Sequence, residues 1–174
     1  MSEEKICGKL QLVLKPGRYR HTLHVAETAV LLARHYHISE EKARLAGLLH
    51  DCGKEAGATL THAAIGAQLA QSEYQIQDPE ILSAIACHTT GKPAMSILEK
   101  ILFVADYIEP GRDRAPHLDY LRKEAYQNLD HTILCILSDT LLYLKEAGVT
   151  IDENSIDTYN YYHEKCKNQE GRSR

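Results

Sequence analysis

Large aromatic residues other than tyrosine are nearly absent from this chain of 174 residues. It has no tryptophan and a single phenylalanine, whereas histidine occurs ten times. The unusual polar content of the sequence is therefore imidazole, a group that binds metals and transfers protons near neutral pH.

The chain also lacks an apolar run long enough to cross a bilayer, and its start, Met-Ser-Glu-Glu-Lys, lacks the basic-then-apolar order of a signal peptide. Its five cysteines are an odd number, lie far apart and form no Cys-x-x-Cys pair, so nothing supports a zinc ribbon. This usage fits a reducing compartment. We expect a cytoplasmic protein with no membrane partner.

Positive charge is not in excess either. The formal net charge is -4, and the lysines and arginines are scattered among acidic residues. Binding along a nucleic-acid backbone requires a basic face, so nucleic acid is not an expected partner. A small basic pocket for a phosphorylated small molecule remains compatible with this charge.

The periodicity of apolar residues is helical, and no strand pattern longer than a few residues and no internal repeat occurs. The sequence therefore predicts an all-α helical bundle. Helix starts are marked by capping signals at Ser39, Asp78-Pro79 and Ser96-Ile-Leu-Glu99. Each signal satisfies backbone N–H groups that would otherwise lack a partner.

The C-terminal third is predicted to be helical as well. A stretch from Leu118 to Glu146 is expected to divide near Asn128, and a short helix follows from about Glu153 to Tyr162. The sequence predicts one domain over residues 1–165 and a disordered polar tail over residues 166–174.

The stretch Leu45-Ala-Gly-Leu-Leu-His-Asp-Cys-Gly-Lys54 organises the functional prediction. An apolar helix end finishes in the adjacent side chains of His50 and Asp51. Burying an imidazole and a carboxylate side by side costs several kcal/mol unless both are satisfied, and a metal ion satisfies them most fully.

Further histidines and one aspartate lie at predicted helix ends or on otherwise apolar faces. With the doublet they form a candidate metal-ligand set: His21, His50, Asp51, His62, His88 and Asp106. Imidazole and carboxylate in this ratio suit iron, manganese or zinc better than magnesium. Six ligands fit two metals that share Asp51, and a hydroxide bridging two metals is suited to attack on phosphorus.

Other interpretations of the same residues stay open from the sequence alone. Asp106 could instead pair with Arg112 or Lys100 in a structural role, and Lys54 could be a solvated loop residue. The remaining histidines are expected to lie outside the site: His24, His35, His37, His117, His131 and His163. For His24, which comes one turn after His21, the alternative is a position just behind the metal ligands. The fold is also compatible with a non-catalytic nucleotide-binding module or with a di-iron oxygenase.

The ordered set His, His-Asp, His, His, Asp resembles the HD-domain phosphohydrolases in their dinuclear form. More closely, several segments resemble the bacterial YqeK family, the symmetrical bis(5'-nucleosyl)-tetraphosphatases. The segments are Arg18-Tyr-Arg-His21-Thr, His50-Asp-Cys-Gly-Lys54, His62-Ala-Ala-Ile-Gly-Ala, His88-Thr-Thr-Gly-Lys-Pro-Ala-Met-Ser-Ile-Leu-Glu-Lys100 and Val104-Ala-Asp-Tyr-Ile-Glu-Pro-Gly-Arg112. The resemblance covers about residues 10–147 and implies a single HD domain that cuts diadenosine tetraphosphate into two ADP.

The resemblance also implies a role for each matching residue. Asp51 would bridge two divalent metal ions, iron above all, with manganese, cobalt or zinc as alternatives. One metal would be held with His21, His50 and Asp106, and the other with His62 and His88.

The substrate-facing residues follow from the same resemblance. Lys54 would lie beside the metals as a catalytic and phosphate-binding residue, and Arg112 would be a second phosphate clamp. The implied partners are a dinucleoside polyphosphate and its nucleoside diphosphate product, and the exposed helices are compatible with a homodimer. The connection from Cys52 to Thr61 is shorter than is usual in the family and is expected to border the pocket.

Overall fold

A computed structural model describes residues 1–56 and 62–172, and every regular element within them is an α-helix. The elements are α1 (Glu3–Val13), α2 (Pro16–His35), α3 (Glu40–Leu49), α4 (His62–Ser72), α5 (Pro79–Cys87), α6 (Ile97–Ile108), α7 (Leu118–Glu124), α8 (Leu129–Glu146) and α9 (Glu153–Arg172). The predicted all-α class is confirmed. Residues 57–61 of the connection that the sequence predicts to border the pocket lie outside the described residues.

Local hydrogen bonds begin the helices where the sequence predicts them. The Ser39 hydroxyl accepts a hydrogen bond from the backbone N–H of Lys42 at 3.2 Å. At the start of α6 the Ser96 hydroxyl accepts from the N–H of Glu99, and the Glu99 carboxylate accepts from the N–H of Ser96 at 2.7 Å. This reciprocal pair satisfies two N–H groups of the first turn, which fixes where α6 begins.

Helix α6 is the centre of the bundle and packs against α2, α5 and α8. Its sequence is apolar on nearly every side, as expected of a helix that is surrounded by others. The buried apolar residues that it contributes are Leu98, Ile101, Leu102, Phe103, Val104, Ala105 and Ile108. Asp106 directly follows Ala105 in this helix, so its carboxylate is held at a fixed place in the bundle.

Helices α2 and α3 pack unusually close together because small residues face each other. A Cβ atom added to Gly47 would lie 2.6 Å from the backbone Cα of Ala26, a distance that real Cβ atoms do not reach. The close approach brings the start of α2, with His21, towards the end of α3, where His50 and Asp51 follow. No helix among the described residues is both long enough and apolar enough to cross a membrane.

The C-terminal segment differs from its sequence prediction. Instead of ending near Tyr162 and continuing as a disordered tail from residue 166, helix α9 extends to Arg172. Tyr162 is fully buried and its hydroxyl accepts a hydrogen bond from the N–H of Met95 at 3.2 Å. Cys166 is buried too, and Lys165 Nζ lies 2.8 Å from Asp130 Oδ2. These long-range contacts order a segment whose composition alone predicts a solvated chain.

Candidate metal centre

The six candidate ligands lie at the ends of five helices that converge at one place in the bundle. His21 lies in the second turn of α2, and His50 and Asp51 directly follow α3. His62 begins α4 and His88 directly follows α5. Asp106 lies in the last turn of α6. The structure therefore brings all six together from distant parts of the chain, which is the arrangement that the sequence predicts.

Two overlapping groups of donor atoms are close enough to hold a metal ion. One consists of His21, His50 and Asp106, and the other of His50, Asp51 and His88, with the donor atoms of each group within 4.8 Å of one another. In the first group His21 Nε2 lies 3.0 Å from Asp106 Oδ1, and His50 Nε2 lies 3.9 Å from the same oxygen.

The carboxylate of Asp51 lies between two sets of imidazoles. Its Oδ2 is 3.4 Å from His50 Nε2, whereas its Oδ1 is 3.4 Å from His62 Nε2 and 3.7 Å from His88 Nε2. The Nε2 atoms of His62 and His88 are themselves 3.3 Å apart. Oδ2 thus faces His50 and Oδ1 faces His62 and His88, so the two oxygens approach different imidazoles, as a ligand shared by two metals would.

Backbone carbonyl groups fix which nitrogen of each ring faces the cluster. The Nδ1 atom of His50 lies 2.8 Å from the Gly47 carbonyl oxygen, and that of His88 lies 2.7 Å from the Ile85 carbonyl oxygen. A carbonyl only accepts, so each Nδ1 carries a proton, and in the neutral ring each Nε2 presents a lone pair to the cluster. This is the usual support of a metal-binding histidine.

The surroundings of His50 Nε2 indicate whether a metal ion fits this site. His50 is fully buried, and this nitrogen has no hydrogen-bond partner among the described residues. A buried imidazole nitrogen without a partner costs free energy, since it has lost its hydrogen bond to water. A cation bound by the lone pair would supply the missing partner, so the donor set fits a divalent metal such as iron, manganese or zinc.

The two carboxylates of the cluster are held in the ionised form. Burial alone would raise the pKa of Asp51, but its contacts with His50 and His88 lower that pKa well below its ordinary value. Burial likewise opposes ionisation of Asp106, and the hydrogen bond with His21 reverses the effect and lowers the pKa. Both groups therefore offer negatively charged oxygens at neutral pH.

Cationic side chains surround the mouth of the cluster. Arg18 and Arg112 line a shallow cavity of about 300 Å³ together with His21 and Glu109. Lys54 Nζ lies 3.2 Å from His62 Nε2 and 3.9 Å from Asp51 Oδ1, so it is part of the cluster and not a solvated loop residue. Guanidinium and ammonium groups placed beside a metal site attract phosphate oxygens.

The alternative structural role of Asp106 is partly present in the structure. Arg112 donates a hydrogen bond from Nη2 to the Asp106 carbonyl oxygen at 3.0 Å and approaches Oδ1 at 3.5 Å. Lys100 pairs instead with Asp130, at 2.6 Å from Oδ1. Since His21 approaches the same Asp106 oxygen more closely, at 3.0 Å, the carboxylate faces the imidazoles as well as the guanidinium.

Two residues around the cluster, Glu109 and Arg18, had no role in the sequence interpretation, and a third, His24, had only an alternative one. Buried Glu109 accepts from His21 Nδ1 at 3.2 Å through one oxygen and contacts His24 Nδ1 at 3.1 Å through the other. Arg18 donates to Asp51 Oδ2 at 2.8 Å. The favoured position of His24 at solvent or the bundle edge is therefore corrected to the alternative beside the ligands, because His24 shares the carboxylate that supports His21. Its spacing of three residues from His21, which places both on one helix face, was the available signal.

The chain is similar in sequence to a known family and to curated bacterial proteins. Residues 18–111 match the HD domain family. The symmetrical bis(5'-nucleosyl)-tetraphosphatase of Staphylococcus aureus is 39% identical, over 93% of this chain and 95% of its own length. The protein of the same description from Halalkalibacterium halodurans is 36% identical, over 88% of this chain and 95% of its own.

A solved structure shares the whole architecture. The crystal structure of a predicted HD superfamily hydrolase involved in NAD metabolism, from Clostridium acetobutylicum, superposes with a TM-score of 0.88 at 36% sequence identity. The match covers 95% of this chain and 98% of that one. The helices that carry the six candidate ligands therefore have counterparts in a known fold.

Proposed function

The chain belongs to the HD domain family, and we propose that it is a metal-dependent hydrolase that cleaves diadenosine tetraphosphate symmetrically into two ADP. The observation that carries the proposal is the position of Asp51, whose Oδ2 faces His50 while its Oδ1 faces His62 and His88. The names of the two bacterial relatives, which match over nearly their whole length, supply the substrate.

The proposed ligand sets share the Asp51 carboxylate. His21, His50 and Asp106 would complete one site, and His62 and His88 the other. Iron is the metal that we propose, with manganese, cobalt or zinc able to use the same donors. When bound, two such cations supply a water of lowered pKa as nucleophile and positive charge for the phosphoryl oxygens.

The remaining residues of the site bind and orient the tetraphosphate. Lys54 reaches the Asp51 side of the cluster, where its ammonium group would contact a phosphoryl oxygen. Arg112 stands at the shallow cavity beside His21, where it would receive the next phosphate along the chain, and Arg18 lines the same cavity while it holds Asp51. Anchoring the phosphate chain on both sides of the cluster would hold an inner phosphorus atom at the nucleophile with the central bridging oxygen opposite, so that ADP leaves and hydrolysis gives equal halves.

The experiment that tests the function is a product analysis. Protein loaded in turn with Fe²⁺, Mn²⁺, Co²⁺ or Zn²⁺ is incubated with diadenosine tetraphosphate, and the nucleotides are separated by anion exchange. ADP as the sole nucleotide product supports symmetrical hydrolysis. AMP together with ATP would contradict it, because an outer P–O–P bridge would then have been cleaved in place of the central one.

The same assay separates the other functions that the fold permits. Turnover that requires O₂ and leaves phosphate bonds intact would make the protein an oxygenase, and metal binding without any turnover would make it a sensor.

NAD is tested as a second substrate because the similar Clostridium acetobutylicum protein is described as involved in NAD metabolism. We expect NAD to be a poor substrate, since its two phosphates offer fewer oxygens to Lys54 and Arg112. Equal rates on both dinucleotides would contradict the preference for a tetraphosphate.

Replacement of Asp51 tests the shared ligand. Asp51→Ala is expected to lose most of the bound metal and at least 100-fold in kcat/KM, about 3 kcal/mol of transition-state stabilisation. His163→Ala, which removes a half-exposed imidazole from α9, is the matched control and should retain both. Wild-type metal content in Asp51→Ala would exclude Asp51 as the bridge.

A further inference from the structure

A second and larger cavity begins beside the cluster, between the segment that follows α6 and the outer side of α8. Its volume is about 780 Å³. This lies in the range of roughly 300–1,000 Å³ that is typical of sites for small organic ligands. The side chains that decide its chemistry are Tyr107, Arg112, His117, Asp139, Leu142 and Tyr143.

Arg112 connects this cavity to the metal cluster. It lines both the larger cavity and the shallow one beside His21 and Glu109. It also donates to the Asp106 carbonyl oxygen at 3.0 Å, and Tyr107 follows Asp106 directly in the chain. A phosphate held by Arg112 would therefore have the cluster on one side and the larger cavity on the other.

The walls of the larger cavity suit an aromatic ring. The Arg112 guanidinium lies over the Tyr107 ring, 5.4 Å from its centroid. Across the mouth, Tyr143 and Leu142 keep 68% and 57% of their surface exposed, although both are large and apolar or aromatic. Exposed side chains of this kind next to a cavity are a common feature of ligand sites.

Carboxylates line the α8 side of the same cavity, whereas Arg112 and Arg114 line it from the segment that follows α6. Asp139 and Glu146 both line it, seven residues and about 10 Å apart along the helix axis. His117 Nδ1 lies 3.0 Å from Asp139 Oδ2, which fixes that carboxylate in place. Negative charge repels a phosphate but accepts hydrogen bonds from hydroxyl groups. The α8 side of the cavity therefore favours a neutral group that carries hydroxyls, and the arginine side favours a phosphate.

We infer that this cavity binds one nucleoside of the substrate, with the base against Tyr143, the ribose near the α8 carboxylates and the adjoining phosphate on Arg112. The inference rests on the proposed function for the identity of the substrate. It assigns the nucleoside contacts to α8 and to residues 107–117, none of which supplies a metal ligand.

The test compares ligands that have and lack a nucleoside. Dissociation constants of ADP and of inorganic pyrophosphate are measured by titration calorimetry on metal-loaded wild type and on Tyr143→Ala. Loss of a base-stacking ring should weaken the binding of ADP about tenfold and leave the binding of pyrophosphate unchanged.

In turnover assays of Tyr143→Ala the KM for diadenosine tetraphosphate should rise while kcat is retained, since binding is lost equally from the ground state and the transition state. Tyr120→Ala, which removes a half-exposed tyrosine from α7, is the control and should bind ADP as wild type does.

A second variant fills the cavity instead of removing a contact. Thr140 lines it from α8, and Thr140→Trp should weaken ADP binding at least tenfold with pyrophosphate again unchanged. Unchanged ADP binding in both variants, or equal losses for ADP and pyrophosphate, would overturn the subsite.

The subsite and the proposed function can fail separately. If wild type hydrolyses diadenosine tetraphosphate but neither variant affects ADP binding, the subsite is wrong and the function stands. If wild type hydrolyses none of it but ADP binding depends on Tyr143, the function is wrong and the nucleoside site stands.

Discussion

Arg18 donates a hydrogen bond from Nη1 to Oδ2 of Asp51 at 2.8 Å, across the interface of α2 and the end of α3. The Asp51 side chain is only 3% exposed, so this contact works in a poorly solvated environment. It restrains the carboxylate that stands between the two imidazole sets. Arg18 is therefore a positioning residue for the candidate metal bridge.

Arg18→Ala should lower kcat/KM by about 10- to 100-fold, the usual cost of losing a partner that orients a metal ligand. Arg18→Lys should recover only part of the loss, because an ammonium group lacks the planar fork of a guanidinium. Steady-state kinetics and metal content are the measurements. Arg20→Ala removes an exposed arginine two residues away and should behave as wild type. Equal losses in Arg18→Ala and Arg20→Ala would show a general charge effect in place of a specific contact.

Glu109→Gln tests the carboxylate that supports His21. Because Glu109 accepts from His21 Nδ1, its replacement should reduce metal affinity about 10- to 100-fold at the site that His21 would share with Asp106. Metal titration followed by elemental analysis would measure this loss. Glu124→Gln, whose carboxylate contacts His131 outside the cluster, is the matched control. An unchanged affinity in Glu109→Gln would mean that His21 needs no such support.

Gly53→Ala should destabilise the protein by about 1–3 kcal/mol, the usual range for overpacking. The added Cβ would lie 2.5 Å from the backbone nitrogen of Gly66 and 2.6 Å from the carbonyl oxygen of His62, so α4 and with it His62 would have to move. Urea unfolding and metal content should both report the change. Gly8→Ala meets no atom within 4 Å and should stabilise the exposed interior of α1 by about 0.5–1 kcal/mol. Opposite signs for the two variants are the expected result.

Asp130→Asn tests the contacts that hold α9 against the bundle. Burial alone would raise the pKa of Asp130, but hydrogen bonds from Lys100 and Lys165 lower it below its ordinary value. A carboxyl with a depressed folded-state pKa contributes stability above its unfolded-state pKa, and the contribution disappears as the pH falls through the folded-state value. The variant should therefore lose about 1–3 kcal/mol at pH 7.

The pH dependence gives this prediction its control. Unfolding free energies of wild type and Asp130→Asn should converge as the pH falls from about 4, the ordinary value of an aspartate in the unfolded chain, through the lower pKa of folded Asp130, where the carboxyl of folded wild type also becomes protonated. Asp119→Asn, which changes a carboxylate that is 99% exposed, should follow wild type at every pH. A constant gap between wild type and Asp130→Asn down to acidic pH would assign the loss to packing instead of charge.

Features that depend on neighbours in sequence were predictable. The Ser39 and Ser96 caps were predicted correctly, because a cap is made by residues three apart and needs no other part of the chain. The division of the C-terminal helical stretch at Asn128 was predictable for the same reason, since its side chain accepts from the N–H of His131. The six candidate ligands stood out because buried helix ends seldom finish in imidazole and carboxylate groups.

Features that depend on distant contacts were not predictable. Glu109 and His24 meet across 85 positions of the chain, and no local pattern states that they share a hydrogen bond. The extension of α9 past Tyr162 likewise depends on Met95 and Asp130, which belong to other parts of the bundle. The polar composition of the segment predicted a disordered tail, because composition reports how favourably the residues interact with water and does not reveal which contacts the folded chain offers them.

The sequence by itself determined the helical class, the helix starts and the identity of the candidate metal donors, since periodicity, caps and side-chain chemistry are local properties. Only the tertiary structure decided that the two oxygens of Asp51 face different imidazoles, that Arg18 and Glu109 restrain the donors, and that a cavity with aromatic walls begins at Arg112. These relationships join helices far apart in the chain, and their distances are set by how closely small residues such as Gly47 and Gly53 allow the helices to pack.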